Sequence, residues 1–365
     1  MGRSAPASFL LHALVVFSTL LVRQSTGAKD EVYATTLSSD SFLLGTRVLG
    51  YALRRVNATR PFMVLCTTDV SQASMDRLRL DGFIVHKTTP LHTPYKATHV
   101  LNKYQYTKIR LWTYTDYAKI IHIDADCLPM VNVDELFDCG HFCAVMRHSD
   151  MFNSGVFTLV PDQTVYEDMM NKRTELESYD GGDQGGTEDG AQNKLFAKGV
   201  HRLSFFYNAD VGMYYLNSHF IRQPKIIHYT LGPVKPWIWW TYPLFDQNWQ
   251  WLVVRELVEA TTGPSTSLPT ATLLLLTIIM FAVYYTFTRI LRRSKRLSMM
   301  AQAADSTSAK AAPVLLIGLG TMVAYGVVPE QMHPYTAWCL FGVVQFSTTF
   351  LLNCCYCDAQ RMALQ

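Results

Sequence analysis

From Glu31 to about Val160 the chain alternates between two periods of hydrophobicity. The runs EVYATTLS (31–38), PFMVLCTT (61–68), FIVHKTTP (83–90) and AKIIHIDAD (118–126) are short and rich in β-branched or aromatic residues, which predicts strands. Between them, residues 42–56, 71–82 and 101–116 carry apolar positions at helical spacing. Strands alternating with helices predict an α/β domain whose mainly parallel sheet is covered on both faces. Ligands of such sheets sit at the carboxyl ends of the strands, and Asp124 and Asp126 stand at such an end. A second half adds strands over CAVMRH (143–148), NSGVFTLV (153–160) and PKIIHYT (224–230), a glycine-rich loop over 180–190 and a helix around 192–198. The domain is expected to span 29–259, with TTGPSTSLPT marking a linker over 260–270.

Four longer runs free of charge interrupt this pattern. The first, at 7–22, follows Arg3 and precedes the small residues Thr26 and Ala28. That is the pattern of a signal peptide covering 1–28; an uncleaved anchor is the alternative, and either sends the next segment into the secretory lumen. The others, charge-free over 271–288, 311–328 and 335–357, approach the roughly 20 residues that cross a bilayer, which predicts three transmembrane helices at 271–291, 311–329 and 335–357. Arg289, at the end of the first span, and Arg292, Arg293, Lys295 and Arg296, at the start of the 292–310 loop, form a basic cluster, whereas the turn PEQMHP (329–334) holds no Lys or Arg. The positive-inside rule then puts that loop and the tail at 358–365 in the cytosol, and everything before 271 in the lumen.

A formal charge of +3 over 365 residues gives no basic excess, so no nucleic-acid partner is expected. A lumenal domain makes Asn57, in NAT, a usable glycosylation acceptor, although such tripeptides also arise by chance. Cys66, Cys127, Cys139 and Cys143 would lie where disulfides persist. Cys139 and Cys143 are near enough for a small loop, but sequence alone does not fix pairing. CCYC (354–357), at the cytosolic membrane face, is a candidate for palmitate.

In an extended D-x-D the two side chains share a face. Two carboxylates there repel unless a cation neutralises them, and hard oxygen ligands suit Mg²⁺ or Mn²⁺. An isolated pair is more often a turn or N-cap feature. IIHYTLGPVKPW (226–237) adds His228 at the end of an apolar run, then Gly232 and Lys235 in a proline-flanked loop. His228 could offer an imidazole ligand and Lys235 a point charge for phosphate.

YATTLSSDSFLLGTRVLGYAL, YTKIRLWTYTDYAKIIHIDADCL, MFNSGVFTL, YDGGDQG and HYTLGPVKPW occur in the order found in the glycogenin-like glycosyltransferases, and the chain resembles that family, glycosyltransferase family 8, over roughly 32–240. The resemblance implies a GT-A fold, a UDP-sugar donor, Mn²⁺ with Mg²⁺ as the alternative, and transfer with retention. It matches Asp124, Asp126 and His228 to the metal ligands, and Lys108 and Lys235 to phosphate contacts, with Gly232 in the same loop. Thr35, Thr36, Leu37 and Phe42 match the segment that binds uridine. Asn153, Ser154, Gly182, Asp183 and Gln184 match residues around the donor sugar, with Asp183 and Gln184 near the anomeric centre. One departure is GGDQGGTEDGAQNKLF (181–196), where the family usually passes quickly to a hydrophobic residue and Leu-Asn; the loop at 185–192 is longer or its register shifted.

HYTLGPVKPW followed by IWWTYPLFDQNWQW and apolar spans looks like the branch containing plant inositol phosphorylceramide glucuronosyltransferase, usually richer in spans than this chain. Trp237, Trp239, Trp240, Trp249 and Trp251 precede the first span, in keeping with a membrane-interface position. Packing in a C-terminal helix is the alternative for about half of them. The leading expectation is transfer of glucuronate from UDP-glucuronate to inositol phosphorylceramide at a Golgi or ER membrane, with Arg110 and Arg147 as candidates to meet the sugar carboxylate. The alternatives are a UDP-glucose or UDP-galactose transferase acting on a protein or polyol, and a non-catalytic membrane protein that binds sugar nucleotide.

Overall fold

The computed structural model describes residues 30–92, 100–146, 152–172, 200–216, 223–232, 234–262, 285 and 307–363. Its strands are β1 (Glu31–Leu37), β2 (Phe62–Thr67), β3 (Ile84–Thr88), β4 (Lys119–Ile123), β5 (Cys127–Pro129), β6 (Phe142–Met146), β7 (Phe152–Leu159), β8 (Val200–Leu203), β9 (Ala209–Asp210) and β10 (Ile226–His228). The helices are α1 (Leu43–Arg55), α2 (Gln72–Leu80), α3 (Gln163–Lys172), α4 (Val211–Leu216), α5 (Asn248–Thr262), α6 (Thr307–Val327) and α7 (Pro334–Ala363). The stretch predicted as a helix over 101–116 winds instead as a 3₁₀ helix, Val100–Thr113.

Seven strands form one sheet in the order β3-β2-β1-β4-β7-β6-β8. β1 to β4 are mutually parallel where they pair, and β7 alone runs against its neighbours β4 and β6. The mainly parallel sheet of a GT-A-like α/β fold is therefore present, with one reversed strand between β4 and β6. Alternate residues feed two separate cores, as the period of two in a strand requires. Tyr33, Val64, Cys66 and Ile121 pack on one face, and Val32, Ala34, Met63, Leu65 and Ile120 on the other. Burial on both faces explains why β2 reads as a continuous apolar run. A second, three-stranded sheet, β5-β10-β9, lies beyond the end of β4.

Helix α1 is buried along most of its length because it separates the main core from a third cluster built on Leu128, Ile227, Trp237, Trp251 and Val254. Gly45 permits this approach, since a Cβ there would lie 2.7 Å from the Ala125 carbonyl and 2.9 Å from the Trp237 ring. Arg47, also on α1, meets Asp81 through Nε at 2.6 Å and Nη2 at 3.1 Å, both side chains being buried. Removing one partner strands a buried charge, so Asp81→Ala is expected to destabilise the domain by about 3–5 kcal/mol. Thermal unfolding followed by tryptophan fluorescence checks this, and an unshifted transition would refute the assignment.

Cys139 and Cys143 are joined in a disulfide. Helices α6 and α7 form a hairpin around a turn at 328–333. Among the described residues, one stretch is long and apolar enough to cross a membrane, Pro334–Cys354 in α7, with mean hydropathy 1.4. The apolar part of α6, Pro313–Val327, is shorter. One of the three predicted spans thus meets the length criterion; the span at 271–291 lies outside the described residues except for Tyr285, and so does the signal segment at 1–28.

The hairpin turn is seated against the α/β domain. Trp239 packs with Val328, Met332 and Ala337, and its backbone N–H donates to the Glu330 carbonyl at 3.2 Å. Arg255 Nη2 donates to the Gln331 carbonyl at 2.8 Å, and Gln331 Nε2 donates to the Ser41 carbonyl at 2.6 Å. The turn is therefore packed directly against the α/β domain.

Candidate active site

Strand β4 delivers Asp124 at its carboxyl end, where the chain turns. The Asp124 N–H donates to the Gly155 carbonyl at 2.8 Å, and the Cys127 N–H donates to the Asp124 carbonyl at 2.9 Å. The D-x-D is thus a tight turn between β4 and β5 rather than the extended pair expected. Aspartate favours turns over strand interiors, which is the local reason. The two carboxylates consequently face different cations.

Lys108 Nζ, from the 3₁₀ segment, lies 3.0 Å from the Asp124 carboxylate and donates to Ser154 Oγ at 3.1 Å. Asp126 faces the loop after β10: His228 Nε2 is 3.4 Å from Oδ1, and Lys235 Nζ donates to Oδ2 at 2.6 Å and to the Tyr229 carbonyl at 2.7 Å. Antiparallel pairing of β5 with β10, which sets His228 opposite Cys127, brings these residues together. Ligand atoms of Asp126, Cys127 and His228 all lie within 4.8 Å of one another. Burial pushes the Cys127 thiol well above its ordinary pKa, so the sulfur stays protonated and soft among harder donors.

The electrostatics separate the two aspartates. Burial raises Asp124 to about 6, aided by repulsion from Asp126 and opposed by Lys108. Burial acts on Asp126 too, but Lys235 and His228 beside it hold its carboxyl well below the usual carboxylate range. His122 lies beneath them, fully buried, stacked on Phe157 and without a hydrogen-bond partner on either ring nitrogen. Burial, with Lys108 nearby, keeps it neutral.

The donor set fits a hard divalent cation. Two ligand atoms of one octahedral ion at about 2.1 Å stand about 3 Å apart, close to the 3.4 Å between Asp126 Oδ1 and His228 Nε2. Asp124, expected as a third ligand, is not among the clustered ligand atoms: its carboxylate lies 3.0 Å from Lys108 Nζ, as that of Asp126 lies 2.6 Å from Lys235 Nζ.

Other predicted residues divide by position. Thr35, Thr36 and Leu37 close β1, which runs beside β4 in the register Ala34 opposite His122, so they border the Asp124 end of the sheet. Leu37 points into the core, whereas Phe42 sets its ring edge-on to Trp237 at 5.5 Å. Gly232 has open space around its Cα. Asn57 is exposed and adopts φ +56, a left-handed conformation that asparagine tolerates. Arg110 donates from Nε to the Thr89 carbonyl at 2.7 Å. Gly182, Asp183, Gln184 and Arg147, with the whole loop at 185–192, lie outside the described residues. Of the five clustered tryptophans, Trp237, Trp239 and Trp251 are buried, Trp240 is half-buried and Trp249 is 42% exposed.

Two residues in the site have no counterpart in the sequence reading. Asn208 donates to Asn153 Oδ1 at 2.9 Å and faces His228 Nδ1 at 2.8 Å. Gly155 lies under the same imidazole, and a Cβ there would fall 2.2 Å from His228 Cε1. Gly155→Ala is therefore expected to displace His228 and weaken Mn²⁺ binding roughly 10–100-fold. Isothermal titration with Mn²⁺ measures this; unchanged affinity would mean that the imidazole is not a ligand.

The profile of glycosyl transferase family 8 matches residues 34–241. Inositol phosphorylceramide glucuronosyltransferase 1 of Arabidopsis thaliana is 37% identical over 274 residues, covering 69% of this chain and 50% of that protein. UDP-glucuronate:xylan alpha-glucuronosyltransferase 2 of Arabidopsis thaliana is 32% identical over 244 residues, covering 64% of this chain and 39% of the relative. Glycogenin-2 of Homo sapiens is 33% identical over 222 residues, covering 57% and 44%. The chain thus spans about half the length, or less, of these relatives. Among solved structures, the galactosyltransferase LgtC in complex with donor and acceptor sugar analogs superposes with TM-score 0.48 at 17% identity, covering 65% of this chain and 97% of that one.

Proposed function

We propose, for a chain that belongs to glycosyltransferase family 8, that it transfers glucuronate from UDP-glucuronate to the head group of inositol phosphorylceramide, with retention of configuration, at a Golgi or ER membrane. The observation that carries this reading is the 37% identity to a protein named for that acceptor and donor class. The hairpin seated on Trp239 supports it by bringing a membrane-length helix against the same domain. In this reading the segment at 271–291 joins α6 and α7 as a third span, the domain over 29–259 is lumenal after a signal peptide at 1–28, and Asn57 carries a glycan.

Asp124, Asp126 and His228 would hold Mn²⁺, which supplies positive charge for the diphosphate as the bond to the sugar breaks. Lys108 and Lys235 already face the carboxylates at 3.0 and 2.6 Å, and they bind and orient the phosphates from there. Both ammonium groups are largely buried, so each is worth more to a developing anion than it would be in water. Thr35, Thr36 and Phe42 would meet uridine at the end of β1, with Leu37 contributing only backbone because its side chain is in the core; Gly232 would let the loop pass close to phosphate. Asp183 and Gln184 act at the anomeric carbon, Gly182 beside them, on the strength of the family resemblance.

A donor panel tests the assignment. Full-length protein in detergent with Mn²⁺ is expected to release UDP from UDP-glucuronate faster than from UDP-glucose or UDP-galactose. Preference for UDP-glucose would overturn the donor, and no release from any donor would overturn the enzyme reading.

A further inference from the structure

We infer that Asn208 is a positioning residue that gives His228 the tautomer a metal ligand needs, by passing on the direction of one backbone N–H. The inference rests on the reading of His228 as a ligand. A backbone N–H only donates, and that of Gly155 lies 2.8 Å from the Asn153 side-chain amide, so the atom facing it is the oxygen, Oδ1. Asn208 approaches the same Oδ1 at 2.9 Å, so Asn208 presents its NH₂ there. Its own oxygen then faces the other way, 2.8 Å from His228 Nδ1. An amide oxygen accepts, so Nδ1 carries the hydrogen.

In a neutral imidazole this leaves the lone pair on Nε2, the nitrogen 3.4 Å from Asp126 Oδ1. Asn153, Asn208 and His228 are each 5% exposed or less, so bulk water does not substitute for any link. Asn208 stands immediately before β9, which pairs in parallel with β10 and so holds it beside His228. The ring occupies the space that Gly155 leaves on β7, where a Cβ would fall 2.5 Å from Nδ1. Asn153 and Asn208 thus serve the metal ligand from behind, whatever the first also does for a donor.

The test titrates Mn²⁺ alone into full-length protein in detergent, reads free Mn²⁺ by electron paramagnetic resonance, and measures thermal unfolding of the same samples. Asn208→Leu keeps the volume but removes the acceptor, and is expected to weaken Mn²⁺ binding roughly 10–100-fold. Asn208→Asp restores an oxygen at Nδ1 while setting its other oxygen against Asn153, so it lowers the unfolding temperature yet keeps Mn²⁺ affinity within about threefold of wild type, as a carboxylate partner of a ligating imidazole does. Affinity that follows unfolding temperature across both variants, or that is unchanged in Asn208→Leu, would overturn the inference. Wild-type protein that binds no Mn²⁺ would instead overturn the metal reading beneath it.

Discussion

Asp126→Ala is expected to lower Mn²⁺-dependent UDP release by about a thousandfold or more, the scale on which a preorganised charge at a reacting centre acts. Asp126 joins the D-x-D turn to the loop after β10, touching His228 at 3.4 Å and Lys235 at 2.6 Å. Its carboxyl is held ionised by those neighbours against burial. Alanine leaves Lys235 with only the Tyr229 carbonyl from this set and takes from His228 the carboxylate beside its Nε2. The turn itself should survive, because the Tyr229 N–H bonds to the backbone oxygen of Asp126 at 3.0 Å. Activity and unfolding temperature therefore separate in this variant. Turnover at the wild-type rate would remove Asp126 from the mechanism.

The second large effect is on stability. Trp239→Ala is expected to destabilise the full-length protein by about 3–5 kcal/mol, as truncation of a buried tryptophan does. Trp239 is the hub between domain and hairpin, packed on Trp338 at 4.9 Å and Phe341 at 5.4 Å between ring centroids. The loop it ends begins at Lys235, whose carbonyl accepts from the Ile238 N–H at 3.0 Å. Loosening the hairpin should therefore also reach the phosphate contact, raising KM for the UDP-sugar more than it lowers kcat. A fluorescence melt of wild type against variant, in the same detergent, measures the stability. Coincident melts would mean that the hairpin is merely tethered to the domain.

Much of this was legible in sequence where local pattern and tertiary burial agree. β1, β2, β3 and β4 fall within predicted runs because each alternates or fills both faces of a sheet. The reversal of β7 was not legible, since Phe152–Leu159 is buried at every position and reads the same in either direction. The small sheet was missed in part because β5, β9 and β10 are two or three residues long, below the length at which a period shows. Asp126 and His228 could be named as partners by resemblance, but what joins them is the β5–β10 pairing that sets His228 opposite Cys127, the residue after Asp126. The turn geometry of Asp124–Asp126 was hidden by the apolar strand before it, and Asn208 by its ordinary polarity. Its role follows only from the donor at Gly155.

For the function as a whole, one reaction decides. Full-length protein is incubated with UDP-glucuronate, Mn²⁺ and inositol phosphorylceramide in mixed micelles, and the lipid is analysed by mass spectrometry. The expected result is a lipid heavier by one glucuronosyl unit, formed with Mn²⁺ and absent with chelator or in Asp126→Ala. Unmodified lipid alongside active transfer to a soluble acceptor, or modification that persists without metal, would contradict it.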